Sequence, residues 1–378
     1  MTDINPHPVS DFDAAVRLLS GGTNVAIYND LGLPSIYVRR DKGLISDVIE
    51  GGPDATHYAF IVNGIEVPAF YMGKYLATVY KGRALSLPLQ DPVALTVTPE
   101  NIGNADSNNV TFDNAKIWCE ANGAGFHLPT IAEYAWLALL SKQNGTMPHG
   151  NNDRGLERNA EYEGGIITTK STTYRTLTGS GPATWNDNWK PDGICDLNGN
   201  VCEWQGGYRT VDGELQIFAD NDAAMQYKQN PESMRWRAIL QDGTLVEPGT
   251  ADTLKWDFDN SESPDIYVIK LNTKVENPIR NEDALGTITL EGLAAVSGVN
   301  IPERLKALAL MPAGFKSFIA ATHGNDQMYA DNRGERIAAR GGYYNSGTAA
   351  GVFFANMTKH RWCAYVDTGF RPAFIPGI

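Results

Sequence analysis

Cysteine is scarce in this 378-residue chain, with four residues at Cys119, Cys195, Cys202 and Cys363. They are too few and too scattered for a disulfide scaffold, and the spacing from Cys195 to Cys202 is not one that zinc sites use. Reduced thiols in a protein made in a cytoplasm are expected. Long apolar runs are missing, so no segment is suited to cross a membrane as a helix. The opening residues, Met1 to Pro6, lack the basic and apolar pattern of a secretory leader. Basic runs are also missing and the formal net charge is -13. The electrostatic footprint of a nucleic-acid binder is therefore absent. The six histidines, His7, His57, His127, His149, His323 and His360, include no pair at ligand spacing. Each is expected to be satisfied inside the fold or exposed.

Glycine is plentiful at 38 residues, proline numbers 20, and Asn and Asp are frequent. That composition favours short strands and long ordered loops over helices. The hydrophobic share of 42% and charged share of 20% are ordinary for a globular protein. The length suggests two or three domains. Residues 1–52 read as a small β-rich unit for assembly or attachment. A short helix over Asp11 to Leu19 is followed by strands at Asn24–Tyr28 and Ser35–Val38. The main domain spans 53–378. Phe60–Ile65 and Phe70–Tyr75 read as strands, and Asp113–Asn122 as an amphipathic helix. A second helix over Ile131–Ser141 opens on Thr130 with Glu133 three residues on, a capping box. Residues from about 208 to 310 differ from their surroundings and read as an inserted β-rich subdomain. It opens with a hairpin on Asp212-Gly213 and ends in a helical piece over Pro302–Leu310.

Four pieces in order carry a resemblance. Phe70-Tyr71-Met72-Gly73-Lys74-Tyr75 resembles a strand of formylglycine-generating-enzyme-like domains. Gly125 to Tyr134 resembles their helix start, Asp196-Leu197-Asn198-Gly199-Asn200-Val201-Cys202-Glu203-Trp204 their central turn, and Arg340-Gly341-Gly342 with Thr368-Gly369-Phe370-Arg371 their closing motif. The resemblance implies an α+β chain with a C-type lectin fold of that type. Gly199-Asn200 suits a tight left-handed turn. Glu203 and Trp204 are expected to tie it to the core, with Arg371 paired to a carboxylate. The oxidases of this family need two cysteines soon after the Arg-Gly-Gly block to hold copper. Here that segment is Tyr343-Tyr344-Asn345-Ser346-Gly347, and Cys363 stands alone. Oxidase activity is the disfavoured alternative.

The C-terminal segment resembles the variable region of proteins diversified by diversity-generating retroelements, bacteriophage tropism determinants among them. In such proteins a mutable stretch lies between fixed blocks and its template is rich in Asn codons. Varying both adenines of those codons reaches Tyr, Asn, Ser, Thr, Ala, His, Cys and Asp but not Lys or Trp. Lys359 and Trp362 are then either fixed positions or count against the placement. The candidate contact surface, within about 340–371, comprises Tyr343, Asn345, Ser346, Thr348, Ala349, Asn356, Thr358, His360, Trp362, Cys363, Tyr365 and Asp367. The candidate scaffold is Gly341, Gly342, Tyr344, Phe353, Gly369, Phe370 and Arg371. Tyr343, Trp362 and Tyr365 are expected to supply large rigid contact area, and Asn345, Ser346, Thr358 and Asp367 adaptable hydrogen bonds.

The resemblance implies binding without chemistry at a phage tail-fibre tip, to a host cell-surface protein or glycan. It also implies a homo-oligomer, a trimer for preference, that contacts other virion tail proteins and inserts into no membrane. A bacterial surface adhesin is the other reading. No cofactor is expected. Structural calcium is left open at Asn151-Asn152-Asp153 or around Asp257, Asp259 and Asn260.

Overall fold

The computed structural model describes residues 11–168, 173–261, 263, 265–281, 283–314 and 323–378. His7 and the opening residues Met1 to Pro6 lie outside them. Strands outnumber helices. The helices described are α1 (Asp11–Leu19), α2 (Ile45–Val48), α3 (Phe112–Glu120), α4 (Ile131–Gln143) and α5 (Glu303–Ala307). None is long and apolar enough to cross a membrane. The fold is thus a mixed one with few helices.

The first strands do not form a sheet of their own. Asn24–Tyr28 pairs antiparallel with Pro34–Asp41, which pairs in turn with Ala69–Gly73. Ala373–Phe374, close to the C-terminal end, lies between Ala69–Gly73 and Phe126–His127. This five-stranded sheet therefore joins both ends of the described chain. Helix α1 is held against it by Asp13, whose carboxylate accepts from Ala26 N at 2.9 Å and from Arg17 at 2.8 Å.

The larger sheet has 12 strands and is built around Cys202–Val211. That strand pairs with Glu335–Gly341 on one side and Glu214–Ile217 on the other. The hairpin to Glu214–Ile217 turns on Asp212 (φ 47°) and Gly213 (φ 81°), the left-handed pair that a two-residue turn requires. Residues 208–310 are rich in strands. Their strands Lys255–Asp259, Tyr267–Asn272 and Gly286–Thr289 continue this same sheet through hydrogen-bonded neighbours. The far end returns through Gln327–Ala330 to Gly351–Lys359, which pairs with Glu335–Gly341.

Two cores sandwich the sheet. On one face Phe353, Ala355 and Met357 join Tyr208, Met328 and the residues of α4. On the other, Phe354, Ile337, Ala339 and Trp204 meet Phe112, Ala115 and Trp118 of α3. The period of two along Gly351–Lys359 feeds alternate side chains to the two cores. Helix α4 is apolar nearly all round because it is buried. Its N-terminus is closed by the expected capping box. Thr130 Oγ1 accepts from Glu133 N at 3.1 Å, and Glu133 Oε2 accepts from Thr130 N at 3.0 Å.

One expected strand is different. Phe60–Ile65 is a hairpin, with strands Ile61–Val62 and Ile65–Glu66. The Asn63-Gly64 pair between them adopts φ 51° and 73°, a turn that outweighs the apolar run.

Candidate binding surface

The Arg-Gly-Gly block ends one strand and opens a loop. Gly341 still pairs with Gly351, so residues 342–350 bulge out between adjacent strands. Gly341 and Gly342 both take positive φ, 91° and 78°. A Cβ on Gly341 would sit 2.8 Å from Leu197 O, and one on Gly342 2.6 Å from Ala350 Cβ. Only glycine satisfies both the dihedral and the space. Arg340 is buried just before them, and its guanidinium donates to Ala309 O at 3.2 Å. Burial lowers its pKa to about 10.

The loop backbone is tied down along its length. Tyr344 N donates to Asn200 O at 3.1 Å, and Tyr344 O accepts from Arg154 N at 2.6 Å. Gly347 N donates to Asn152 O at 2.9 Å. The left-handed Gly199-Asn200 turn supplies one of these anchors and is itself bonded, Gly199 N to Gly341 O at 2.9 Å.

The second loop, 360–367, is held in the same manner. Arg361 is buried and binds Glu335 at 2.7 Å, Asp113 at 2.7 Å and Gln229 O at 2.9 Å. Leu95 N donates to Tyr365 O at 2.9 Å, and Cys202 N to Asp367 O at 2.7 Å. Lys359 is buried too. Its ammonium lies 3.6 Å from Asp367 and 4.3 Å from the centre of the Tyr365 ring. It belongs to the frame. Trp362 is 66% exposed and stacks on His360 with ring centres 4.3 Å apart.

Every candidate contact residue is at least partly exposed. Asn345, Thr348, Trp362 and Tyr365 are open to solvent, whereas Tyr343, Ser346, Ala349, Asn356, Thr358, His360, Cys363 and Asp367 are half-buried. Gly341, Gly342, Phe353, Gly369, Phe370 and Arg371 are buried. Tyr344 departs from the expected pattern. Its backbone is part of the frame, yet its ring is half-buried, 5.5 Å from that of Tyr343. Tyr343 in turn packs on the edge of the Trp204 core. Two consecutive left-handed glycines end the strand before this pair, so neither ring is fully buried.

The surface is strung along Gly351–Lys359 rather than gathered at one point. At about 3.3 Å per residue this strand is about 30 Å long. Thr348 and Ala349 precede it, and His360 and Trp362 follow it. Between them Asn356 stands beside Tyr329 on the neighbouring strand, and Thr358 Oγ1 donates to Asn356 Oδ1 at 2.7 Å. Tyr365 Oη donates to Cys363 Sγ at 3.3 Å, and this bond heads the causes that raise the phenol to about 12. Sequence reasoning missed Tyr329 and Gln327, which share this face. The alternation Gln327-Met328-Tyr329-Ala330, polar out and apolar in, carried the signal.

Side chains of the two Asn- and Asp-rich stretches bond to the protein's own backbone and amides. Asp257 accepts from Glu276 N, Asn277 N and Asn272 Nδ2 at 2.9 to 3.1 Å. Asn151 and Asn152 accept from Gly155 N and Arg158 N. Among the described residues no three His, Cys, Asp or Glu side chains gather as a metal site.

No family model matches the chain, and no curated protein matches it. Solved structures do. This chain is similar to Major Tropism Determinant variants. The U1 variant is 12% identical with a TM-score of 0.32, over 90% of this chain and 62% of that one. The P3c variant is 12% identical with a TM-score of 0.33, over 93% and 72%. Treponema denticola variable protein 1 is 11% identical with a TM-score of 0.33, over 93% and 99%. This chain thus spans less than two thirds of the length of the U1 variant. Similarity of this extent is loose, and no ligand or chemistry follows from it.

Proposed function

We propose that this chain is a receptor-binding protein whose C-terminal side chains vary on a fixed backbone, used at the tip of a phage tail fibre to grip a host surface protein or glycan. One observation supports this most. The backbone of 343–367 is bonded to the 95, 152–154 and 200–202 segments, while its candidate contact side chains all reach solvent. Such an arrangement lets side chains change without moving the chain that carries them. Exposed Trp362 and Tyr365 give contact area at low entropy cost. The α+β frame, with the buried Glu203–Arg371 pair and the Gly199-Asn200 turn, supports a C-type lectin fold of the formylglycine-generating-enzyme-like type.

In this reading the protein works by binding without chemistry and without a cofactor, and structural calcium is left to direct measurement. Modest affinity at one site is multiplied by several copies, a trimer for preference, held on the virion by other tail proteins. The test is cell binding by purified protein. Trp362→Ala and Tyr365→Ala together should weaken binding to host cells at least tenfold and leave the thermal transition in place. Undiminished binding by that variant would place the contact elsewhere.

A further inference from the structure

Two cavities flank the turn Gly347–Ala349. The first, about 290 Å³, is walled by Met147, Pro148, His149, Trp189, Asn198 and Asp326. The second, about 320 Å³, is walled by Asn159, Thr289, Asn325, Gln327 and Ala349. Asn159, Gly324 and Thr348 line both, so the two make one groove beneath the variable loop. Its first part is of the size of a small ligand site.

The lining is specific in kind. Trp189 is 43% exposed, and its Nε1 donates to Met147 O at 3.0 Å, which fixes the ring. The His149 ring stands edge-on to it, centres 5.9 Å apart, with Nδ1 2.9 Å from Glu163 Oε2. Carboxylates in the wall are engaged by the protein itself. Glu157 accepts from Gly150 N and Asn152 Nδ2 at 2.9 Å and from Asn159 N at 3.1 Å. Asp326 accepts from Phe353 N at 2.8 Å, and burial holds its carboxyl well above the usual carboxylate range. Glu157 is bonded through both oxygens, and the lining residues include no arginine and one lysine, Lys142, which is buried. The exposed part of the groove offers an aromatic face at one end and neutral amides and hydroxyls at the other. Asn198 Nδ2 donates to Pro148 O at 2.9 Å, and its Oδ1 is buried within the protein.

We propose that this groove binds a neutral sugar chain, with one ring lying on Trp189 and hydroxyls bonded to the amides of Asn159, Asn325 and Gln327 and to Thr348. A sugar ring presents an apolar C–H face to the indole and a rim of hydroxyls to side chains that both donate and accept. Thr348 and Ala349 would then tune linkage or length, while Trp189 lies outside the variable segment. The part given to Thr348 and Ala349 rests on the proposed variable surface. The groove itself does not.

Saturation-transfer NMR on the full chain, with maltose, lactose, cellobiose and chitobiose as probes, tests this. Transfer to the ring protons of at least one disaccharide is expected. It should be at least tenfold weaker in Trp189→Ala, restored in Trp189→Phe and unchanged in Met234→Ala, an exposed residue that lines neither cavity. Should Trp189→Ala fail to fold, Asn325→Ala with Gln327→Ala is expected to give the same loss. No transfer from the native chain to any of the four, or transfer that survives both variants, overturns the proposal. So does preference for a sialylated probe over all neutral ones. Cell binding that depends on Trp362 but persists without any disaccharide transfer would sink the groove and leave the outer surface standing.

Discussion

Arg371 shows how much one residue of this chain can hold. Its guanidinium meets both oxygens of Glu203, at 2.5 and 2.8 Å, and also donates to Gly73 O and Cys195 O. Both side chains are fully enclosed. Removing one charge leaves the other buried without compensation, which costs about 3–5 kcal/mol. Glu203→Gln should lower the urea-derived stability by that amount, and a change below about 1 kcal/mol would show that the pair is not what braces the turn. His57 gives a second residue-scale prediction. Its Nε2 donates to Ala307 O at 2.9 Å and its Nδ1 accepts from Ala59 N at 3.2 Å, so the neutral ring is fully used. Burial lowers its pKa to about 4 from 6.5. The unfolded chain therefore takes up a proton first as pH falls. Stability from this group is complete above pH 6.5 and is lost between there and about pH 4. At about 1.4 kcal/mol per unit the loss is about 3 kcal/mol. Denaturation curves across that window should be flatter for His57→Gln.

At the scale of elements, local chemistry was legible wherever it was decisive. Thr130 and Glu133 announced α4, and Asp212-Gly213 announced its hairpin. Asn63-Gly64 carried the same turn signal inside Phe60–Ile65, where the apolar run hid it. Strands such as Lys255–Asp259 and Tyr267–Asn272 were not resolved in sequence. Tyr267–Asn272 is parallel to Gly286–Thr289 in this sheet, and parallel partners leave no turn between them to read. The stretch Asn356–Asp367 shows no period in sequence, yet Asn356–Lys359 completes the strand Gly351–Lys359 with alternate burial, and 360–367 forms the loop. Which of Tyr343 and Tyr344 faces outward is not legible, since two left-handed glycines before them end the strand. Those glycines can be tested. Gly342→Ala should cost about 1–3 kcal/mol in chemical denaturation, from the left-handed strain and the clash with Ala350. A neutral substitution would mean the loop is looser than its hydrogen bonds imply.

At the scale of the whole molecule, the exposed Asn345, Thr348 and Trp362 of the proposed surface stand apart from the buried frame. Exposed substitutions away from buried partners usually change stability by no more than about 0.5 kcal/mol each. Asn345→Ala, Thr348→Ala and Trp362→Ala combined should therefore leave a single unfolding transition within about 1.5 kcal/mol of the native chain, as measured by calorimetry. A larger loss would tie the surface to the core. The placement of Ala373–Phe374 inside the five-stranded sheet has a further consequence. The strands Thr368–Gly369 and Ala373–Phe374 follow the proposed contact stretch, and each joins a sheet begun far upstream. A chain cut short within that stretch leaves Ala69–Gly73 and Phe126–His127 without the strand between them, an open edge that proteases and neighbouring chains can reach.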